Sequence, residues 1–200
     1  MILIINKITN FIKKFYFKIS FYFIFLINLG DSQYDLKDSY NYEEKIFYNI
    51  SGIINFKKIG YNFNSWELNY FDIMFKNQCI AFCAFVDKDL GHTTWLATSP
   101  KSKKMIEKLP ISLDWKNEAI WGNAFTVEKY RKLGLHKFST NNCIEYLKSN
   151  NYKRCYFSVQ KKNKQSISSY SFFKPIKIGE GYFIHFFLFK FGKIKIFNGK

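Results

Sequence analysis

Arginine is almost missing from this 200-residue chain, which carries only Arg131 and Arg154 although 31 basic residues against 15 acids give a formal charge of +16. Lysine supplies the rest. A basic balance fits nucleic acid, an anionic membrane or an anionic substrate equally well. Arginine is the side chain whose planar fork matches a phosphate or a guanine edge, so its scarcity argues against sequence-specific nucleic-acid reading. No zinc finger, RNA-recognition signature or regular basic–aromatic repeat is present, and nucleic acid is set aside as the main partner. Histidine is scarce too. His92, His136 and His185 form no H-x-x-x-H pattern, and Cys79, Cys83, Cys143 and Cys155 form no C-x-x-C pair. These gaps argue against a metal site. The four cysteines fall in strand-like or helix-face positions and read as buried, reduced thiols of a cytoplasmic protein. Internal repeats and long low-complexity tracts are absent.

What is abundant is apolar and aromatic, 48% and 21% of the residues. That fills one core easily, and two full domains would be tight at this length. Phe, Ile, Lys, Asn and Tyr are all in excess at once, which weakens inference from any one residue type. Met1 to Leu29 holds Lys7, Lys13, Lys14 and Lys18 and no acid. Its most apolar part, Ile19 to Leu29, falls short of the roughly 20 residues that span a bilayer. No small-residue cleavage site follows it. Residues 1–30 are therefore expected to form a basic, apolar helix, lying on the inner face of a membrane, docked on a partner or covering the protein's own core. Asp31, Asp35, Asp38, Glu43 and Glu44 then make an acidic stretch. Residues 31–75 read as a linker with the first elements of the domain, and 76–200 as its main part. Ile46 to Phe56 and Tyr61 to Phe75 have no clear period.

From Gln78 the pattern sharpens. Gln78 to Val86 reads as a strand, Asp87 to Gly91 as a turn, and His92 to Ala97 as a returning strand, which makes a hairpin. Ser99-Pro100 signals a helix start, with Ser as cap and Pro at the first helical position, running to Lys108. Trp115 to Val127 gives a third strand. Gly134 opens a helix with apolar positions at Leu135, Phe138, Cys143, Ile144 and Leu147, ending at Ser149-Asn150-Asn151. A strand over Tyr152 to Val159, a helix over Asn163 to Phe173 and β signals from Ile176 to Phe191 and Ile194 to Phe197 follow, the last two divided at Gly192-Lys193. Strand–helix–strand units imply right-handed crossovers, and the hairpin is antiparallel. The fold class is α/β (α+β), with a mixed, mostly antiparallel sheet and helices on both faces.

The chain is organised around Phe125 to Phe138, a strand end, a basic turn and a helix start. Gly134 permits a backbone conformation or close approach that a side chain would hinder. Amides at the helix start face an anion favourably, helped by the helix dipole and by Lys132 and Lys137. The bland alternative is an ordinary turn.

Three segments in sequence resemble the GNAT superfamily of acyl-CoA-dependent acyltransferases. Val127-x-x-Tyr130-Arg131-Lys132-Leu133-Gly134-Leu135 resembles its strand end and R-x-x-G-x-[GA] loop. Val159 followed by Asn163, Ser166 and Tyr170 resembles its V…N-x-x-[AS]-x-x-x-Y segment. The helix and strand between them have the expected lengths, and coverage runs from about Gln78 to Phe189. His136 departs from the loop's sixth position, and Lys174-Pro175 stands where Gly-Phe is usual. A Tyr at the sixth position occurs in branches linked to surface polysaccharide synthesis, and His136 is similar in shape.

The resemblance implies a transfer of an acyl group, in the first place acetyl, from acetyl-CoA or another acyl-CoA to an amine such as an amino sugar, with no metal. Amides from Arg131, Lys132, Leu133, Gly134, Leu135, His136 and Lys137 would bind the pyrophosphate. The backbones of Phe125 and Val127 would pair with the pantetheine arm, Asn163 would face it, and Tyr170 would protonate the leaving thiolate. For the base, His92, Glu118, Asn123 through a water and Glu128 are candidates, with Glu118 and His92 preferred. Positioning two substrates together supplies much of the rate with little need for a dedicated base. Two alternatives stay open: an inactive GNAT-like module docked at a membrane or partner, and a Fem-type aminoacyl transferase.

Overall fold

The computed structural model describes residues 17–30, 42–187 and 189–197. In chain order the elements are β1 (Phe17–Asn28), β2 (Glu43–Phe47), α1 (Ile50–Lys58), α2 (Ser65–Lys76), β3 (Ile80–Val86), β4 (Asp89–Ala97) and α3 (Pro100–Ile106). After them come β5 (Glu118–Thr126), a 3-10 turn (Glu128–Tyr130), α4 (Leu135–Ser149), β6 (Arg154–Gln160), α5 (Lys164–Ser171), β7 (Ile176–Phe186) and β8 (Phe189–Ile196). The strands form one sheet in the order β2-β3-β4-β5-β6-β1-β7-β8. Every neighbouring pair is antiparallel except β5 and β6. Helices cover both faces. Ile53 of α1, Phe71 and Met74 of α2 and Ile106 of α3 join one core cluster, while Cys143, Ile144 and Leu147 of α4 and Tyr170 of α5 join the other. The mixed, mostly antiparallel architecture is as the sequence implied.

Local signals account for much of this. The β3–β4 hairpin turns on Asp87 and Lys88, both left-handed at φ 49° and 68°, as a two-residue turn matched to strand twist requires. Ser99 caps α3 by accepting from the Ser102 amide, with Pro100 at its first position. Asn151, at φ 63°, supplies the left-handed residue after α4. Asn64 opens α2 in a capping box with Glu67, whose carboxylate accepts from the Asn64 amide at 2.6 Å. The four cysteines are free and buried.

The largest correction concerns the N-terminus. Instead of a helix, Phe17–Asn28 is a strand deep in the sheet, antiparallel to β6 on one side and β7 on the other. From Tyr22 on, the run of aromatic and aliphatic residues fits a strand covered on both sides, whereas Phe17, Ile19 and Phe21 before it stay exposed. Tyr22 and Ile24 enter one core and Phe25 and Ile27 the other. Of the Ile19–Leu29 run, Tyr22, Ile24, Phe25, Ile27 and Leu29 are thus buried within the protein itself. Residues 1–16 and 31–41, including the first lysines and the acids Asp31, Asp35 and Asp38, lie outside the described residues. Glu43 and Glu44 belong to β2, so the sheet takes in segments on both sides of residue 76. No helix among the described residues is long and apolar enough to cross a membrane.

A smaller correction concerns the last hairpin. Its turn falls at Phe187, left-handed at φ 52°, and Gly192 lies inside β8. That glycine reflects close packing: a Cβ there would meet Pro110 Cδ at 3.2 Å and the Lys108 carbonyl at 3.3 Å.

Candidate active site

The site begins with an irregularity in β5. Opposite Thr94 of β4, two β5 residues, Asn123 and Ala124, occupy the space of one, between the pairs Trp95–Gly122 and Thr93–Phe125. Such a bulge bends the strand and increases its twist. Asn123 takes the left-handed conformation, φ 49°, that asparagine tolerates better than most residues. Its amide donates to the Met105 carbonyl at 2.9 Å and to the Tyr70 hydroxyl at 3.3 Å. On its other side β5 pairs with β6 only from Glu118 to Ile120. Beyond Ile120 the strands part, and the opening is wedged by stacked rings. Trp121 lies 5.3 Å from Phe157, and Phe157 lies 4.4 Å from Tyr170.

At the mouth of this opening is a cavity of about 570 Å³. The structure brings ten of the expected residues to it: His92, Phe125, Arg131, Lys132, Gly134, Leu135, His136, Lys137, Asn163 and Tyr170. The basic loop forms one wall. Lys132 and Gly134 are both left-handed, at φ 66° and 81°. The first amide of α4 to join the helical ladder belongs to Phe138, which donates to the Gly134 carbonyl at 3.0 Å. The amides ahead of it stand outside that ladder, where a helix favours an anion. Asp89 anchors the approach. One of its oxygens accepts from Lys129 and Tyr130, each at 2.7 Å, and the other from Asn62 at 2.7 Å. Those hydrogen bonds hold its carboxyl down near a pKa of about 2.

Two histidines close the inner end. His92 is buried, with Nδ1 2.7 Å from Thr126 Oγ1 and Nε2 2.9 Å from Thr94 Oγ1. Burial, with a smaller contribution from His136, holds it well below the usual imidazole pKa. His136 turns its ring edge-on to Tyr170 at 4.6 Å and lies 5.3 Å from His92. Burial pushes it down to about 4. Its Nε2 is buried with no hydrogen-bond partner among the described residues, an orphaned polar atom in a ligand-sized cavity. Tyr170 is buried, which raises its phenol above the usual range and keeps it protonated. Asn163 caps α5, its side-chain oxygen accepting from the Ser166 amide at 3.1 Å.

Other expected residues lie elsewhere. Glu118 sits at the far end of β5, where its carboxylate accepts from the Asp114 amide at 2.8 Å and the Tyr156 hydroxyl at 2.8 Å, and pairs with Arg154 at 2.6 Å. Its position makes it a structural ion-pair partner away from the cavity. Glu128 is exposed, 3.8 Å from Arg131. Val127 donates its amide to the Gly91 carbonyl and accepts from the Tyr130 amide, so its backbone is already paired. Leu133 accepts from the Tyr42 hydroxyl at 2.7 Å on the outside of the loop.

Sequence reasoning missed the other side of the bulge. A second cavity, of about 280 Å³, lies between the sheet and α2, lined by Trp66, Glu67, Tyr70, Phe71, Leu90, Thr93, Trp95, Asn123 and Phe125. Phe125 lines both cavities. The aromatic residues of Tyr61 to Phe75 carried no period that separates a cavity wall from core.

No family model matches the sequence, and no curated protein matches it. Solved structures do. A functionally unknown conserved protein from Staphylococcus epidermidis is 12% identical with a TM-score of 0.54, over 89% of this chain and 66% of that one. An acetyltransferase of the GNAT family from Colwellia psychrerythraea is 10% identical with a TM-score of 0.52, over 85% and 57%. A GCN5-related glucosamine N-acetyltransferase region of a fungal multi-domain β-N-acetylglucosaminidase is 12% identical with a TM-score of 0.54, over 90% and 23%. This chain thus spans two thirds or less of the length of each. It has a GNAT-like fold.

Proposed function

We propose that the protein transfers an acyl group, in the first place acetyl, from acyl-CoA to a primary amine by direct attack in a ternary complex. The observation that carries this reading is the bulge at Asn123–Ala124, where two cavities on opposite faces of the sheet meet at Phe125. One suits a phosphate-bearing donor and the other a second substrate. Their junction is where a nucleophile and a thioester meet.

Coenzyme A fits the larger cavity. Amides at the start of α4 take the pyrophosphate, with Arg131 and Lys132 supplying charge. The edge of β5 beyond Ile120, unpaired with β6, offers Thr126 backbone groups to the pantetheine amides as an added strand would, since Phe125, like Val127, turns its backbone groups toward β4. The amine nitrogen attacks the thioester carbonyl carbon and the carbon–sulfur bond breaks. Tyr170 gives its proton to the departing sulfur, and the amine's proton passes to water, from which Tyr170 is restored. His92 uses both ring nitrogens on threonines and holds Thr126 at the cavity wall; an amine arriving neutral needs no protein base.

The acceptor cavity favours an apolar or aromatic amine over an amino sugar. Its Glu67 carboxylate is engaged by the Asn64 amide, and the Asn123 amide by Tyr70 and Met105. Sugar hydroxyls entering there lose water without regaining partners. The test is thiol release from acetyl-CoA with phenethylamine and with glucosamine. Phenethylamine is expected to react faster, and Tyr170→Phe to lower kcat by about 100-fold or more while coenzyme A still binds. Equal loss of binding and turnover would refute the acid role. Coenzyme A binding without turnover on any amine would favour a non-catalytic module, in which the His92, His136 and Tyr170 rings simply plug the cleft.

A further inference from the structure

The far end of the sheet presents a second surface, unrelated to the cleft. Register places Phe17 beside Phe186 and Phe189, Ile19 beside Ile184 and Phe191, and Phe21 beside Tyr182 and Lys193, in three rows across β1, β7 and β8. Because side chains alternate, these nine residues share one sheet face. It is the face that α4 covers over β3, β4 and β5. Over β1, β7 and β8 it is open, with Phe17 48% exposed, Phe21 54%, Phe191 56% and Phe189 75%. Contiguous exposed aromatics on this scale mark an interaction surface.

Charge identifies what the surface meets. Behind the aromatic rows lies a hollow of about 310 Å³, lined on its polar side by Lys161, Lys193, Lys195 and Glu180. Lys161 pairs with Glu180, which Lys195 also faces from across β7 and β8, whereas Lys193 pairs with no carboxylate among the described residues. Two rows of a strand span about 7 Å. That matches the roughly 5–10 Å to which an apolar face enters the headgroup and acyl boundary of a bilayer. The next rows bring Lys193 and Lys195 to headgroup level, where each lysine attracts anionic lipid.

The geometry points to an anionic phospholipid surface as the partner of this face, with the β1–β7–β8 aromatics entering the bilayer and the lysine hollow receiving a headgroup phosphate. Flotation of the full chain with vesicles tests it, comparing phosphatidylcholine alone with equal parts phosphatidylcholine and phosphatidylglycerol. Binding to the anionic vesicles is expected to be about tenfold or more stronger and to fall steeply with salt. Phe189→Ser with Phe191→Ser, at exposed positions that leave the core intact, is expected to weaken it by about tenfold or more. Lys193→Glu with Lys195→Glu gives a second variant that touches no aromatic packing, and is expected to weaken binding to the anionic vesicles alone. Unchanged partitioning of both double variants overturns the proposal. So does a dimer in lipid-free solution that Phe189→Ser with Phe191→Ser dissociates without vesicle binding, since that assigns the face to a second copy of the chain.

Discussion

The two flanks of β6 behave in opposite ways. On one side β6 meets β5 from Arg154 to Tyr156 only, and on the other it meets β1 from Arg154 to Gln160. The closed side is ordinary interior: β1 satisfies its backbone through neighbours on both sides and sends apolar side chains into both cores. On the open side, rings fill the gap and backbone groups of β5 are left for a ligand or water, because a buried amide or carbonyl must find some partner. The candidate site is a place where the sheet is not zipped.

The strongest way to break that contrast is to remove the wedge. Phe157→Ala, which deletes the ring between Trp121 and Tyr170, is expected to destabilise the fold by about 3–5 kcal/mol. Chemical denaturation measures it, and the loss should come with poorer coenzyme A binding, whereas Ile24→Ala in β1 should cost stability alone. Next is the junction where the two strands still touch. Glu118→Gln removes the charge that Arg154 and the Tyr156 hydroxyl share, at an expected cost of about 2–3 kcal/mol. Turnover per folded molecule should hold, since Glu118 is remote from the cavity.

A smaller effect comes from pH. Burial lifts Glu44 to about 7, against a smaller opposing influence of the nearby polar groups of Ser139 and Asn142 on α4. Its folded value exceeds its unfolded one, so its contribution is whole below about pH 4.5 and is lost as pH rises through about 7. His136 has the opposite sign: its folded value of about 4 lies below the unfolded 6.5, so its contribution is whole above about pH 6.5 and fades as pH falls through 4. Between pH 4.5 and 6.5 the two offset each other. Glu44→Gln is expected to add about 2 kcal/mol at pH 8 and little at pH 4, and to uncover the histidine slope in melting curves.

Much of the site was legible because its signals are local. Gly134 at a strand-to-helix turn, Ser99-Pro100 at a cap and Asp87 at a tight turn each act through their own backbone, and the structure uses all three. Phe17–Asn28 was not legible: an unbroken apolar run has no period to separate a buried strand from a helix, and its partners β6 and β7 lie far along the chain. Glu118 misled for a related reason, since Arg154 and Tyr156 come from another strand. His136 was legible as a departure from a motif, but its turn toward Tyr170 and His92 depends on packing between α4, α5 and β4.

The measurement closest to the central claim is calorimetric titration of the protein with coenzyme A, alongside Gly134→Val. A branched side chain at φ 81° costs about 1–2 kcal/mol in the left-handed region and shifts the loop that opens α4. The expected result is one coenzyme A per chain, with binding about tenfold or more weaker in the variant. No binding heat at millimolar coenzyme A, or equal affinity in both proteins, contradicts a pyrophosphate cradle at Arg131–Lys137.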